Sequence, residues 1–287
     1  MKKITLALIA VVALLAACTK SEITPDPKPE PEPEPEPKPA VEYPKITINA
    51  NKSDLSLFEN VDAFLGLEGE KADPFDIGIT YMGVFDSVHW EIPKMYFESK
   101  TKSSVTVKVG FAFSIPGTYT LYLSAFKDNA VVRRDSVEFH VKNTKDFLGI
   151  NWKDGKDTEF YSSNNTFSKE YFNLKSNITG DKPFARLEFG LGRGTLGNEY
   201  SEISFNALTR CINTNFGESQ FSYTGDVKKT NLFGKYKELF KNPLDEKYYP
   251  IKIWQTAKNN IVLLAQPAQD PINSSETYYL VIAEPRS

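Results

Sequence analysis

Proline occupies every second position from Pro25 to Pro39, and this repeat restricts the chain more than any other feature of its sequence. Proline fixes the backbone angle φ and has no amide hydrogen, so the segment can join neither a helix nor a sheet. We expect a polyproline II spacer with a rise of about 3.1 Å per residue and a length of roughly 45 Å. The repeat separates a short N-terminal segment from roughly 245 residues, which suits one large or two small domains.

The N-terminal segment has the build of a secretory signal. A basic start precedes an apolar run over residues 4–17, which is shorter than the roughly 20 residues of a membrane-spanning helix. The run ends in Leu15-Ala16-Ala17-Cys18, which resembles the bacterial lipobox. The resemblance implies a signal peptide over residues 1–17, a lipid on the thiol of Cys18, and a lipidated stalk over residues 18–40. The alternative is an ordinary secreted protein in which this cysteine is incidental.

Two further resemblances concern the location of the protein. Lipoproteins held in the inner membrane of enteric bacteria usually carry Asp after the lipidated cysteine, whereas this chain has Thr19. Lys20-Ser21-Glu22 resembles the charged export signal of surface lipoproteins in Bacteroides-like bacteria. These resemblances imply a lipid-anchored protein of the outer membrane that faces the cell surface.

The charge and cysteine content exclude some classes of function. Removal of the signal takes away Lys2 and Lys3 and moves the formal charge from −3 to −5, which argues against nucleic acid as a partner. Cys211 is the one cysteine after Cys18, so no disulfide can form within the folded region. We expect its thiol to be buried, and a catalytic cysteine is the alternative.

Residues 41–143 contain short runs of alternating apolar residues separated by turns. Such period-two alternation is typical of antiparallel strands with one buried face. The apolar positions of four of these runs are Ile46 and Ile48; Val88, Trp90 and Ile92; Tyr119, Leu121 and Leu123; and Val137, Phe139 and Val141. The predicted fold class of this region is an all-β immunoglobulin-like sandwich.

Three segments of this region resemble known domains. Residues 87–91 resemble the strand that carries the tryptophan of immunoglobulin-like domains, here Trp90. Residues 116–121 resemble the PGTYTVTL segment of PKD-like domains, and residues 135–141 resemble their final strand. The turn that usually follows the tryptophan is replaced by Glu91-Ile92-Pro93. The resemblance implies a PKD-like module, a spacer or binding platform without a specific activity.

Two tripeptides in the same region resemble a modification site. Asp86-Ser87-Val88 and Asp135-Ser136-Val137 match the Asp-Ser/Thr-apolar acceptor of general O-glycosylation in Bacteroides-like bacteria. The resemblance implies glycans on Ser87 and Ser136. The alternative is two ordinary turns that lead into strands.

The sequence pattern changes near Asn143 and predicts a second domain over residues 144–287. Apolar residues recur at helical spacing from Phe205 to Phe216, with Ser204 as the expected cap, and again from Leu232 to Phe240. Alternating segments predict strands over residues 184–190, 251–254, 261–264 and 278–282, with a hairpin turn at Lys258-Asn259-Asn260. We therefore expect an α+β domain with its helices on one face of an antiparallel sheet.

One segment fits a cofactor motif by its letters alone. Residues 192–197 match G-x-G-x-x-G, the pattern that holds a dinucleotide between a buried strand and a helix. The preceding segment instead alternates, with Arg186 and Glu188 on one side, which is typical of a half-exposed sheet. We expect a loop that could face a ligand, and no cofactor.

The sequence lacks the usual catalytic and metal-binding patterns. His89 and His140 stand apart from each other and from any cysteine or carboxylate cluster, which argues against zinc. A carboxylate pair of the glycosidase kind depends on distance in space and stays open. The candidates for such a pair are Glu188, Glu199, Glu202 and Asp226.

These features favour a non-enzymatic cell-envelope lipoprotein with a surface binding module. Stalked PKD-like lipoproteins often work beside TonB-dependent transporters, so the resemblance implies polysaccharide and a transporter complex as partners. Sugar binding needs exposed aromatic rings, and the expected binding residues are Trp152, Tyr248, Tyr249 and Trp254. The alternatives are a carboxylate-dependent glycan hydrolase and a purely structural envelope or adhesion component.

Overall fold

The computed structural model describes residues 41–68, 84–95, 97–102, 108–161, 170–191, 198–268 and 276–286. The expected signal peptide, the lipidated cysteine, the proline stalk and the glycine-rich segment 192–197 lie outside the described residues. Residues 42–287 form one compact unit. The unit is mostly β-sheet, and its sheets pack in sandwich-like layers.

The described residues of the N-terminal half form eight strands. In chain order they are β1 (Ile46–Ala50), β2 (Asp54–Ser56), β3 (Val61–Leu67), β4 (Ser87–Ile92), β5 (Phe97–Lys102), β6 (Lys108–Phe111), β7 (Gly117–Lys127) and β8 (Ala130–Lys142). One sheet has the antiparallel order β1–β3–β6. The other has the order β2–β8–β7–β4–β5, in which β2 runs parallel to β8. The two sheets pack face to face as a sandwich.

The alternating apolar residues fill the sandwich as predicted. Val88, Trp90 and Ile92 of β4 are buried, and the residues between them are partly exposed. They meet Val61 and Phe111 of the other sheet in one core. Period two thus gave the correct buried face, because successive side chains of a strand point to opposite sides.

The described part of the C-terminal half contains seven strands and two helices. The strands are β9 (Glu159–Tyr161), β10 (Glu170–Asn177), β11 (Phe184–Leu191), β12 (Phe221–Ser222), β13 (Tyr249–Gln255), β14 (Asn259–Pro267) and β15 (Thr277–Pro285). The helices are α1 (Asn198–Phe216) and α2 (Phe233–Leu239), with a 3₁₀ turn at Val227–Lys229 between them. The strands form one antiparallel sheet in the order β12–β13–β14–β15–β11–β10–β9.

The first helix differs from its prediction at one end. Helix α1 begins at Asn198, so Ser204 is a buried residue inside the helix rather than its cap. The predicted end is confirmed: Gly217 has a φ of 81° and its amide donates to the carbonyl of Asn213 at 2.8 Å. Glycine favours this left-handed conformation because it lacks a Cβ. No helix in the described ranges is both long and apolar enough to cross a membrane.

The two helices lie on opposite faces of the sheet, whereas the sequence pattern predicted one face for both. Helix α1 shares a core with Leu263 and Val281, and α2 shares a smaller core with Leu264 and Leu280. Neighbouring residues of a strand face opposite sides of the sheet. One set of alternate residues therefore packs against α1, and the other set packs against α2.

The hairpin between β13 and β14 is also displaced from its expected place. The turn residues are 256–258, and the amide of Thr256 donates to the carbonyl of Asn259 at 2.8 Å. Asn259 and Asn260 belong to β14, where Asn260 pairs with Gln255. Both asparagines are buried and hydrogen-bonded through their side chains, which explains two polar residues at the start of an apolar strand.

The sandwich and the C-terminal sheet share one core. The ring of Phe147 stacks on that of Phe216, with centroids 5.7 Å apart. Asn259, with 1% of its surface exposed, accepts from the indole N–H of Trp152 and donates to the carbonyl of Asp146, both at 2.7 Å. The domain boundary near Asn143 stays a prediction.

We predict that Asn259→Ala destabilises the protein by about 2–3 kcal/mol, because it leaves the indole of Trp152 and the carbonyl of Asp146 without partners. Urea unfolding of residues 42–287 measures the change. The matched control is Lys258→Ala, which breaks the exposed ion pair to Asp146 and should cost less than about 1 kcal/mol. Equal losses of stability in the two variants would show that the hydrogen bonds of Asn259 do not stabilise the contact between the sandwich and the C-terminal sheet.

Candidate functional site

The sheet face that carries α2 is covered over only part of its width. The buried residues beneath α2 come from β13, β14 and β15, among them Ile253, Val262 and Leu280. The same face continues across β11 and β10, because Leu280 lies opposite Glu188 and Glu188 lies opposite Asn173. Residues that pair across strands share a face, so this polar continuation is accessible beside the helix.

We name this continuation the open face and define it by Tyr171, Asn173, Arg186, Glu188 and Tyr278. Tyr171 and Asn173 alternate along β10 with residues of the core face, as Arg186 and Glu188 do along β11. Tyr278 lies two residues before Leu280 on β15 and therefore on the same side. The two tyrosines thus lie at one end of a strip of charged and amide groups.

The two tyrosines are unusually exposed for large aromatic residues. Tyr171 is 37% exposed and Tyr278 is 46% exposed. Tyr171 is paired with Gly190, and its ring lies across that glycine: a Cβ there would be 2.1 Å from the ring carbon Cζ. Glycine is therefore required at this position to let the ring lie flat against the sheet.

Tyr200, from the first turn of α1, joins the two exposed rings at the end of the sheet. Its hydroxyl donates to the carbonyl of Phe189 at 2.8 Å, and its ring centroid lies 6.3 Å from that of Tyr278. Burial raises the pKa of Tyr200, and the nearby Tyr171, Tyr278 and Glu188 raise it further. The hydroxyl stays protonated at neutral pH and acts as a donor rather than a base.

The centre of the open face carries charged and amide groups. The guanidinium of Arg186 is ion-paired with Glu188, and both side chains are more than a third exposed. The Nε atom of Arg186 and the Oδ1 atom of Asn173 are shielded from solvent and have no partner within the described ranges. A polar group on this face therefore meets the exposed guanidinium and carboxylate rather than these two buried atoms.

A cavity of about 300 Å³ adjoins the open face, and we name it the inner cavity. The charged strip reaches into it through Arg186. Its floor and walls are formed chiefly by Phe184, Leu244, Tyr248, Leu264, Leu280 and Ile282. An apolar, concave wall beside a few polar groups is the usual character of small-molecule and sugar sites.

The two tryptophans that the sequence suggested for binding are packing residues. Trp254 is fully buried and its indole N–H donates to Asn213 at 3.0 Å, so it cannot stack on a ligand. Trp152 is half-buried against Phe147, with ring centroids 6.2 Å apart, and its N–H is held by Asn259. Neither residue lies on the open face.

The two predicted tyrosines lie nearer the candidate site. Tyr248 is half-buried and lines the inner cavity. Tyr249 is half-buried and packs edge-on against Phe233 of α2, with centroids 5.9 Å apart. Of the four predicted binding residues, Tyr248 is the one that borders this site.

The two expected glycosylation serines lie in strands of the sandwich. Ser87 begins β4 and is partly buried, and Ser136 in β8 is exposed and paired with Tyr122. The aspartate before each serine has a structural role. Asp86 accepts from the amide of Asp128 at 2.7 Å, and Asp135 accepts from the amide of Ile48 at 2.6 Å.

The candidate carboxylates lie on different elements. Glu188 is on the open face, Glu202 is exposed on α1, and Asp226 caps the 3₁₀ turn by accepting from the amide of Lys228 at 3.1 Å. The side chain of Glu199 lies outside the described residues. Within the described ranges no group of His, Cys, Asp or Glu side chains could hold a metal ion.

Sequence reasoning missed the open face because it did not recognise β10. Tyr171, Asn173 and Lys175 alternate with the buried Phe172 and Leu174, so a period-two signal was present. Strand β10 is preceded by eight residues that the structure does not describe, and the sequence has no strong turn signal on that side. Gly190 and Tyr278 become neighbours of β10 only through strand pairing, which the sequence pattern does not reveal.

Comparisons with known proteins find little similarity in sequence or structure. No family model matches the chain, and no curated protein matches it. Among solved structures it is similar to a carbohydrate-binding module of the β-sandwich superfamily, from a study of the promiscuous specificity of such modules. The two are 14% identical, the match covers 51% of this chain and 58% of that one, and the TM-score is 0.27. The match thus spans little more than half of that module, and it carries no argument about the ligand.

We predict that Cys211 does not react with iodoacetamide in the folded protein. Complete burial raises the pKa of its thiol to about 12, so almost no thiolate exists at about pH 8. Mass spectrometry of the alkylated Cys18→Ala chain measures the modification, which should appear only after unfolding in guanidinium chloride.

The matched control places a thiol at the exposed Ser222 in the same background, as Ser222→Cys, which should react without unfolding. Rapid alkylation of Cys211 in the folded chain would show instead an accessible, activated thiol and would reopen a catalytic role.

Proposed function

We propose that this protein is a non-enzymatic cell-envelope lipoprotein that captures glycans through its open face. The observation that carries the proposal is the pair of exposed rings, Tyr171 and Tyr278, set on either side of Gly190 on one face of the sheet. Aromatic rings present large, rigid, apolar faces, and their hydroxyls add a polar edge. A pyranose has the complementary shape, with C–H groups on its faces and hydroxyls around its rim.

The groups beside the two rings suit the hydroxyls of a sugar. The guanidinium of Arg186 and the amide of Asn173 carry N–H donors, and the carboxylate of Glu188 adds acceptor oxygens. Among the residues that the structure describes, Tyr200 is a protonated donor, and complete burial raises the pKa of the Cys211 thiol to about 12. These features support binding rather than bond cleavage.

The immunoglobulin-like character of the sandwich belongs to this proposal. Trp90 is fully buried in β4, and Tyr119 at the start of β7 donates its hydroxyl to the carbonyl of Ile115 at 2.8 Å. A buried tryptophan and a tyrosine that bonds back to the preceding corner are features of immunoglobulin-like sandwiches. We regard this half as a PKD-like module and the C-terminal half as an α+β module that carries the binding site.

The location of the protein rests on the sequence of its first 40 residues. We propose that a lipid on Cys18 anchors the chain in the outer membrane, and that the proline stalk holds the folded unit away from the surface. A glycan captured there is available to a TonB-dependent transporter. Glycans on Ser87 and Ser136 remain part of the proposal, and exposure of Ser136 is compatible with modification.

We predict that Tyr171→Ala and Tyr278→Ala each weaken glycan binding about tenfold, because aromatic rings at the centre of an interface are commonly worth more than about 1 kcal/mol. A glycan array identifies the bound polysaccharide, and titration calorimetry with the full chain in detergent measures the affinity. Gly190→Ala should weaken binding as well, because the added methyl group displaces the ring of Tyr171 without removing it.

The matched control is Tyr122→Ala. Tyr122 is 45% exposed, as much as the two binding tyrosines, but it lies on β7 of the sandwich. Its loss should leave the affinity unchanged. Failure of the wild-type protein to bind any polysaccharide, or an equal loss in Tyr122→Ala, would refute the proposed function.

We predict that radiolabelled palmitate is incorporated into the protein and that Cys18→Ala abolishes the label and releases the protein from the membrane fraction. Two or three acyl chains supply stable anchoring without a spanning helix. Cys211→Ala, which removes the other cysteine, should keep both label and location. Unchanged labelling of the Cys18→Ala chain would refute the anchor.

A further inference from the structure

A second cavity, which we name the lysine cavity, adjoins the inner cavity at α2. Its volume is about 510 Å³. The two cavities share a wall that includes Tyr236, Leu244 and Asp245. Burial, and then nearby Glu284, raise the pKa of Tyr236 to about 12, and its hydroxyl donates to the carbonyl of Asn242 at 3.1 Å. The hydroxyl of Tyr236 is therefore neutral at neutral pH, and the charge of Asp245 in the same wall is balanced by Lys247 at 3.2 Å.

Three lysines reach this cavity from separate parts of the chain. Lys182 comes from the turn between β10 and β11, Lys237 from α2, and Lys241 from the segment just after α2. All three are exposed, and none forms an ion pair with a described residue. Lys235 and Lys247 differ, because they are paired with Glu238 and Asp245 at 2.7 and 3.2 Å.

The surroundings of the cavity carry the opposite charge to the whole chain. Residues 227–252 contain seven lysines and three carboxylates, in a chain whose formal charge is −3. Two of the three carboxylates are neutralised by the ion pairs just described. The third, Glu246, also lines the cavity and leaves an excess of positive charge there. A local concentration of one sign of charge attracts ligands of the other sign.

We propose that the lysine cavity selects acidic polysaccharides, whose carboxylate or sulfate groups are held by Lys182, Lys237 and Lys241. The inference rests on the proposed glycan binding and names its ligand class. Lysine is a compact point charge on a flexible stem, which suits acidic groups spaced along a polymer. The half-buried ring of Phe233 lines the same cavity and gives a sugar ring an apolar surface.

The test compares polymers that differ only in charge, using the full chain in detergent. The pairs are polygalacturonate with its methyl ester, and dextran sulfate with dextran. We expect the acidic member of at least one pair to bind about tenfold more tightly than the neutral member. The difference should disappear near about 1 M salt, where charges are screened beyond about 3 Å.

A pair of double variants separates the cavity from general charge. Lys237→Gln/Lys241→Gln should weaken binding of the acidic polymer about fivefold or more and leave the neutral polymer unaffected. Lys229→Gln/Lys252→Gln removes the same charge from the same segment, but neither residue lines the cavity, and Lys252 lies over Phe205 on the other face. This control should keep the preference for the acidic polymer.

Each contrary result has a distinct meaning. Equal affinity for acidic and neutral polymers overturns the acidic preference and leaves glycan capture intact, provided that Tyr171→Ala still weakens binding. Equal losses in the two double variants overturn the cavity as the selective element. Lysine-dependent binding to phosphatidylglycerol vesicles without binding to either acidic polymer overturns the proposal in favour of a lipid headgroup. No binding to any polysaccharide refutes the proposed function itself.

Discussion

The incomplete cover of one broad sheet is the constraint on which the rest of this structure depends. Seven strands about 4.8 Å apart make a surface roughly 29 Å wide, whereas a seven-residue helix is about 10 Å long and about 10 Å thick. Helix α2 can therefore bury residues of β13, β14 and the middle of β15, but not Tyr278 near the start of β15 or the residues of β11 and β10. The residues left outside this cover are polar or aromatic, and they form the open face.

The chemistry of the open face follows from its position beside a covered region. Apolar side chains under α2 give way to Arg186 and Glu188 at the border and then to the exposed rings of Tyr171 and Tyr278. The two cavities lie at this border, where the helix ends and the segment after it turns back over the sheet. The apolar floor of the inner cavity, its aromatic wall and the charged residues at its edge therefore come from strands and a helix that the core holds in place.

The sandwich gives this sheet a rigid base. Asn259 links Trp152 to the carbonyl of Asp146, and the stacked rings of Phe147 and Phe216 continue the contact into α1. The thiol of Cys211 and the amide of Asn215 both donate to the carbonyl of Ser114 at the rim of the sandwich. These hydrogen bonds and stacked rings hold the C-terminal sheet against the sandwich at several separate points.

The sequence by itself determined strands β1, β4, β7 and β8 of the sandwich, the buried position of Trp90, the end of α1 at Gly217 and the burial of Cys211, but it did not indicate β2, β3 or β5. Each of these follows from local rules: the two-residue period of a strand, the freedom of glycine at a positive φ, and the apolar character of a free thiol. It did not determine which face of a strand is covered, because that depends on partners far away in the chain. Trp254 is enclosed because Asn213 and α1 lie over it, and Tyr171 is exposed because α2 is too short to reach it. Tertiary structure alone brought Tyr171, Gly190 and Tyr278 onto one surface, since strand pairing, and not sequence spacing, sets which side chains become neighbours.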